Sequence, residues 1–87
     1  MAVDVWFEFS DRPGDARRQM AAAPRVGESV LWVEQTREGV RIMEDTTEYV
    51  VESAEWVISQ DASHVLVRLA LVPNKEQQHQ VVEEVRA

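Results

Sequence analysis

Eighty-seven residues without a cysteine make one small domain and exclude disulfides, thiolate metal sites and cysteine nucleophiles. The apolar residues are spaced rather than blocked, with no run near the ~18 residues of a membrane span, and Met1-Ala2-Val3-Asp4-Val5 lacks the basic and apolar regions of a signal peptide, so a cytoplasmic protein is expected. The formal net charge of −7 is uneven: residues 28–63 hold nine acids against Arg37 and Arg41 while both flanks are neutral, so phosphate is repelled and direct nucleic-acid binding is not expected.

Residues 2–9 alternate, with Val3, Val5, Phe7 and Phe9 on one face and Asp4, Trp6 and Glu8 on the other. Period two with β-branched and aromatic residues predicts a half-buried strand. Ser10-Asp11-Arg12-Pro13-Gly14-Asp15 is dense in turn formers and predicts a loop. Residues 16–23 read two ways. Alanine content, with Asp15 as N-cap and Pro24 as terminator, favours a short helix. Eight residues make a poor helix without tertiary support, and the preceding loop suits a hairpin, so a returning strand is preferred.

Val26-Gly27-Glu28 is a turn feeding a strand over 30–35, in which Val30/Trp32 and Leu31/Val33 are equally credible inward pairs. Thr36-Arg37-Glu38-Gly39 predicts a four-residue hairpin loop, with Gly39 available for positive φ. The return strand over 40–45 would point Val40 and Ile42 inward. From Glu48 the inward parity is Tyr49 and Val51, and from Ala54 it becomes Ala54, Trp56 and Ile58. One extra residue near Glu52-Ser53 is therefore required, and a β-bulge supplies it while bending the strand enough to serve both halves of a barrel. Trp56 is expected in the core. After the turn at Gln60–Ser63, residues 64–72 are apolar on both parities except for His64 and Arg68 and predict a central, covered strand. Asn74 and Gln77 then have capping-box spacing, and Val81, Val82 and Val85 form a narrow stripe, so a short C-terminal helix is expected, docked or frayed.

Together these elements predict a mainly β protein: a small antiparallel barrel of five to six strands over 1–73, with a helical or frayed extension over 74–87. The run Pro24-Arg25-Val26-Gly27-Glu28-Ser29-Val30, then Tyr49-Val50-Val51, Glu55-Trp56-Val57 and Val65-Leu66-Val67-Arg68-Leu69, resembles small SH3-like β-barrel proteins encoded by bacteriophages and prophages, over about half the chain. That resemblance implies a phage accessory protein in the cytoplasm of a bacterial host, and it brings no catalytic residues. The hairpin inserted between Val30 and Tyr49 and the C-terminal tail depart from it.

No constellation for catalysis is present. His64 and His79 stand alone without zinc-ligand spacing and read as surface histidines. The serines occupy turns or strand edges without a nucleophile elbow. The glycines stand singly, with no phosphate loop, and Glu44, Asp45 and Glu48 lack the spacing of a calcium loop. No enzyme activity, cofactor or metal is therefore expected. Binding is the remaining class. Trp6 shares its face with two acids, and is either covered by the Val81/Val85 stripe or a loop, or is an exposed anchor for a partner. The expected partner-binding residues are Trp6, Glu44, Asp45, Glu48, Glu52 and Glu55, facing a host or virion protein through an acidic surface. Two alternatives stand beside this: a structural or assembly component of a virion or homo-oligomer using sheet edges and Trp6, and an acidic mimic of DNA that inhibits a DNA-binding enzyme.

Overall fold

The computed structural model describes residues 2–73 and 78–84, which form six strands: β1 (Val3–Phe9), β2 (Asp15–Met20), β3 (Ser29–Glu38), β4 (Arg41–Ile58), β5 (Ser63–Leu71) and β6 (Gln78–Glu84). They make one sheet in the order β2-β1-β5-β4-β3, with β6 joined to β4. The sheet curls into a half-barrel, and no helix occurs among the described residues.

The sheet is mixed, which corrects the expectation of purely antiparallel pairing. β1 lies parallel to β5, with Val5 opposite Val65 and Phe9 opposite Leu69. Sequence neighbours joined by tight turns must run antiparallel, but β1 and β5 meet across most of the chain and no hairpin constrains their direction. Residues 15–20 form a strand rather than a helix, placing Val3 opposite Met20 and Phe7 opposite Ala16. The β3–β4 connection is also tighter than expected. Strand pairing continues to Glu38 opposite Arg41, leaving Gly39 and Val40 as a two-residue turn in which Gly39 has φ 62°. Val40 is consequently exposed instead of inward, and Met43 is the buried residue of that segment.

The bulge lies where the parity break requires it. Val51 pairs with Leu69 and Ser53 with Arg68, so Glu52 is the extra residue. Beyond it, Ala54, Trp56 and Ile58 oppose Val67, Val65 and Ser63. β4 thus has β3 beside its first half and β5 beside its second.

The C-terminal helix is the other correction. Gln78–Glu84 pairs antiparallel with Arg41–Thr46 of β4. β5 stops opposite Tyr49, so the start of β4 would be an open edge on that side, and the β-branched Val81 and Val82 suit a strand that closes it. The expected capping box over 74–77 and Val85 lie outside the described residues.

The core is small and lies on the concave face: Val5, Phe7, Trp32, Tyr49, Val51, Val65, Val67 and Leu69. Phe7 and Phe9 meet Trp32 edge-on, with ring centroids 5.2 and 4.9 Å apart. The open side is strapped by the β1–β2 loop. Arg12 sits over Phe9 and pairs with Glu34 of β3 at 3.4 Å, and Arg18 of β2 lies over Trp32 of β3. The two edges of the half-barrel thereby touch through side chains in place of a strand ladder. The molecule is elongated, 50 × 32 × 22 Å with a radius of gyration of 15.4 Å, against about 12 Å for a compact domain of this length.

Candidate functional site

Five strands bring the residues of interest to three places: the outer face of β2–β1–β5, the outer face of β3–β4, and the far end of the β4–β5 hairpin. Directly opposed residues in a ladder share a face, so the pairing registers assign each side chain.

On the first surface Arg17, Trp6 and Leu66 stand in register across β2, β1 and β5. The Trp6 indole stacks on His64, centroids 3.7 Å apart with planes 15° from parallel, and the Arg17 guanidinium carbon lies 3.8 Å from the indole centroid. Two planar groups at that distance cannot share one face of the ring, so Trp6 is sandwiched between them. Neither expected environment for Trp6 describes this. Trp6 is half-buried, and what covers it comes from its neighbouring strands. His64 is likewise a half-buried stacking partner and not a free surface histidine. Their shared wall, with Glu8, Pro13, Val57 and Leu66, borders a shallow depression. Glu8 closes its side by accepting a hydrogen bond from Arg68 Nε at 3.3 Å.

The acids of β4 do not form a single patch. Glu44 and Glu48 lie on the outer face, opposite Gln35 and Leu31 of β3, and Gln35 donates a hydrogen bond to Glu44 at 3.3 Å. Asp45 has the opposite parity. It faces β6, where His79 Nδ1 bonds its carboxylate while Nε2 lies 3.8 Å from Glu38. That bond holds the His79 pKa above the usual imidazole value; desolvation opposes it, and the charges of Asp45 and Glu38 each add a lesser upward push. Glu52, at the bulge, borders a second small depression with Glu8, Ser10 and Arg68. Glu55 follows on the outer face opposite Leu66 and is exposed. Between these carboxylates the outer face carries uncovered apolar groups: Leu31 is 62% and Val33 50% exposed.

At the hairpin end, Trp56 is 62% and Ile58 76% exposed. This corrects the expected core position for Trp56. Its parity is inward, beside buried Val65, but β1 begins its pairing with β5 at Val65 and β3 ends its pairing with β4 at Val50. The concave face continues there without a neighbouring strand to fold over it. The approaching turn at Gln60–Ser63 was the sequence signal that residues 56–58 lie at a tip.

Among the described residues no three His, Asp or Glu side chains group closely enough to hold a metal ion, and no helix is long and apolar enough to cross a membrane. Compared with known proteins, the chain matches no family model, no curated protein and no solved structure at a significant level.

Proposed function

We propose that this chain is a protein-interaction module, without a catalytic role, that engages its partner through the outer face of β3 and β4. The observation that carries this reading is the exposed Leu31–Val33 pair set among Glu44 and Glu48. An apolar centre with a charged rim is the anatomy of a protein-binding surface, and the local excess of carboxylates selects a partner with basic residues around an apolar patch. The curled sheet with its long bulged β4 supports the finer reading of an SH3-like barrel. The likeness to phage-encoded barrels makes the setting a phage accessory protein acting on a host or virion protein in the bacterial cytoplasm. Mimicry of DNA is less well supported, because Glu44 and Glu48 stand about 13 Å apart along the strand, whereas each DNA strand presents a phosphate every ~3.4 Å of axis.

Affinity capture from host lysate tests the proposal. The wild-type chain should retain a protein that is lost with Glu44→Lys/Glu48→Lys and with Leu31→Ala. Retention of the same protein by all three would overturn it.

A second reading, a self-associating assembly component, is favoured by a different observation: the open end of β4 with Trp56 and Ile58 uncovered. In this reading Trp6, held between Arg17 and His64, is scaffold and the sheet edge is the contact.

A further inference from the structure

We propose that the open edge of β4, Ala54 to Ile58, pairs antiparallel with the same segment of a second copy about a two-fold axis at Trp56. The inference rests on the assembly reading above and names its surface, register and partner.

The edge is defined by backbone directions. Val51 uses its N–H and C=O on the β3 side, donating to Glu28 and accepting from Gly27, both at 2.9 Å. Leu69, opposite Val51, directs its carbonyl away from β4, to Ser10 N at 2.9 Å. β5 is unbroken, so the alternation of an antiparallel ladder gives Val67 and Val65 the same direction as Leu69. Their partners Ala54 and Trp56, and Ile58 opposite Ser63, therefore aim their N–H and C=O groups away from β5. On that side β3 pairs no farther than Val50, and no described strand takes these groups. An edge with unpaired donors and acceptors and exposed apolar side chains is a template for strand addition, and neither Lys nor Pro guards this one.

The segment is complementary to itself in one register. With Trp56 opposite Trp56 of the second copy, Ala54 falls opposite Ile58 in both directions. All three residues then meet residues whose backbone groups also point across the gap, so three pairs can exchange their hydrogen bonds. The same pairs place six apolar side chains, three from each copy, on the concave face, continuing the stripe that begins at buried Val65 and Val67. Glu55 falls opposite Val57. Centring on Glu55 instead sets two carboxylates against each other and aligns fewer outward-directed pairs. Centring on Val57 runs past the end of the strand at Ile58. A one-residue slip from any of these sets outward-directed groups against inward-directed ones. A partner of different sequence could use the edge, but only an identical copy gives the apolar match from both sides at once.

One added strand buries less than the ~800 Å² per partner of a stable interface, so the dimer is reversible and its population depends on concentration. Both copies carry −7, so added salt strengthens it by screening.

Sedimentation equilibrium from micromolar to millimolar protein tests this, with circular dichroism to confirm that each variant keeps its sheet. The wild type should pass from monomer to dimer. Trp56→Glu should weaken the dimer by at least about tenfold. Val26→Glu, a change at an equally exposed apolar residue in a turn, should leave it unaltered. A second measurement does not depend on a charge in the interface: in this cysteine-free chain, Trp56→Cys should form an intermolecular disulfide on oxidation at high concentration, because opposed hydrogen-bonded residues have Cα atoms ~5.5 Å apart, and Val26→Cys should not. A monomer throughout the range would overturn both the assembly reading and this interface. A dimer insensitive to Trp56→Glu and not trapped by Trp56→Cys would overturn this interface alone.

Discussion

Tyr49 donates its phenol hydrogen to the Asp11 carboxylate at 2.9 Å, tying the centre of β4 to the β1–β2 loop. Tyr49 is 1% exposed, with Phe9 against its ring at 5.3 Å between centroids. Asp11 itself is exposed, so the bond runs from the core to the rim. Beside it, Arg12 reaches Glu34, which also accepts a hydrogen bond from Trp32 Nε1 at 2.8 Å. The loop therefore acts as a strap: its two charged side chains close the mouth of a half-barrel whose edges share no strand ladder.

Removing the phenol tests that strap. Tyr49→Phe keeps the ring and deletes the bond, and should cost about 1 kcal/mol in urea unfolding. The pH dependence is the sharper readout. Burial, then the bond to Asp11, pushes the Tyr49 pKa up from 10.0 to about 12. The folded state holds that proton more tightly than the unfolded chain, so the contribution is complete below pH ~10 and declines as pH rises through ~12, by up to ~3 kcal/mol. Tyr49→Phe should remove this alkaline loss. An unchanged alkaline profile in the variant would assign the loss elsewhere.

β6 buries none of its side chains, so its place on β4 rests on backbone pairing and on His79. The imidazolium is favoured by Asp45 and Glu38, raising its pKa. The contribution to docking is therefore full below pH ~6.5 and is lost as pH rises through the elevated folded-state value. Titration of the His79 ring protons by NMR should give a value above the ordinary one, and Asp45→Asn should return it. Amide protection across β6 should fall with deprotonation in the wild type and change little in Asp45→Asn.

Trp6 has a separate energetic signature. A double-mutant cycle between Trp6→Ala and His64→Ala should give a coupling of about 0.5–1.5 kcal/mol, the range for stacked aromatic pairs. Arg17→Ala should cost about 0.5–1 kcal/mol through the guanidinium contact, and nothing further once Trp6 is absent. Additive losses in both cases would reduce the sandwich to coincidence of position.

Much of the half-barrel was legible in the chain because period two is a local signal. The inward pair Tyr49/Val51, the strand from Val3 to Phe9 and the extra residue at Glu52 all follow from alternation along one segment. The parallel β1–β5 pair does not, since its partners lie some sixty residues apart and no turn sets their direction. The C-terminal stripe misled for a related reason. Val81 and Val82 fit a helical face, but the deciding factor was an open stretch of β4 at Arg41–Thr46, which only the folded sheet reveals. For the candidate site the gap is similar. Glu44, Asp45 and Glu48 are close in sequence, yet Asp45 faces His79 while the other two face outward. The Trp6–His64 stack joins residues that nothing in the chain links.

Trp56 and Leu69 separate pattern from burial most directly. Both have inward parity, in adjacent strands, and alternation alone predicts a core role for each. Leu69 is 1% exposed and has β1 on one side and β4 on the other, so Leu69→Ala leaves a cavity and should cost about 2–5 kcal/mol. Trp56 lies where the concave face outruns β1 and β3, with most of its surface in water. Trp56→Ala removes a larger side chain yet should shift unfolding by less than about 1 kcal/mol at dilute protein, where the chain is monomeric. At high concentration the same substitution should lower thermal stability relative to wild type, because association stabilises the folded state by mass action. Melting curves of both variants at the two extremes of concentration check this. A large Trp56→Ala loss in dilute solution would place the indole in the monomer's own core.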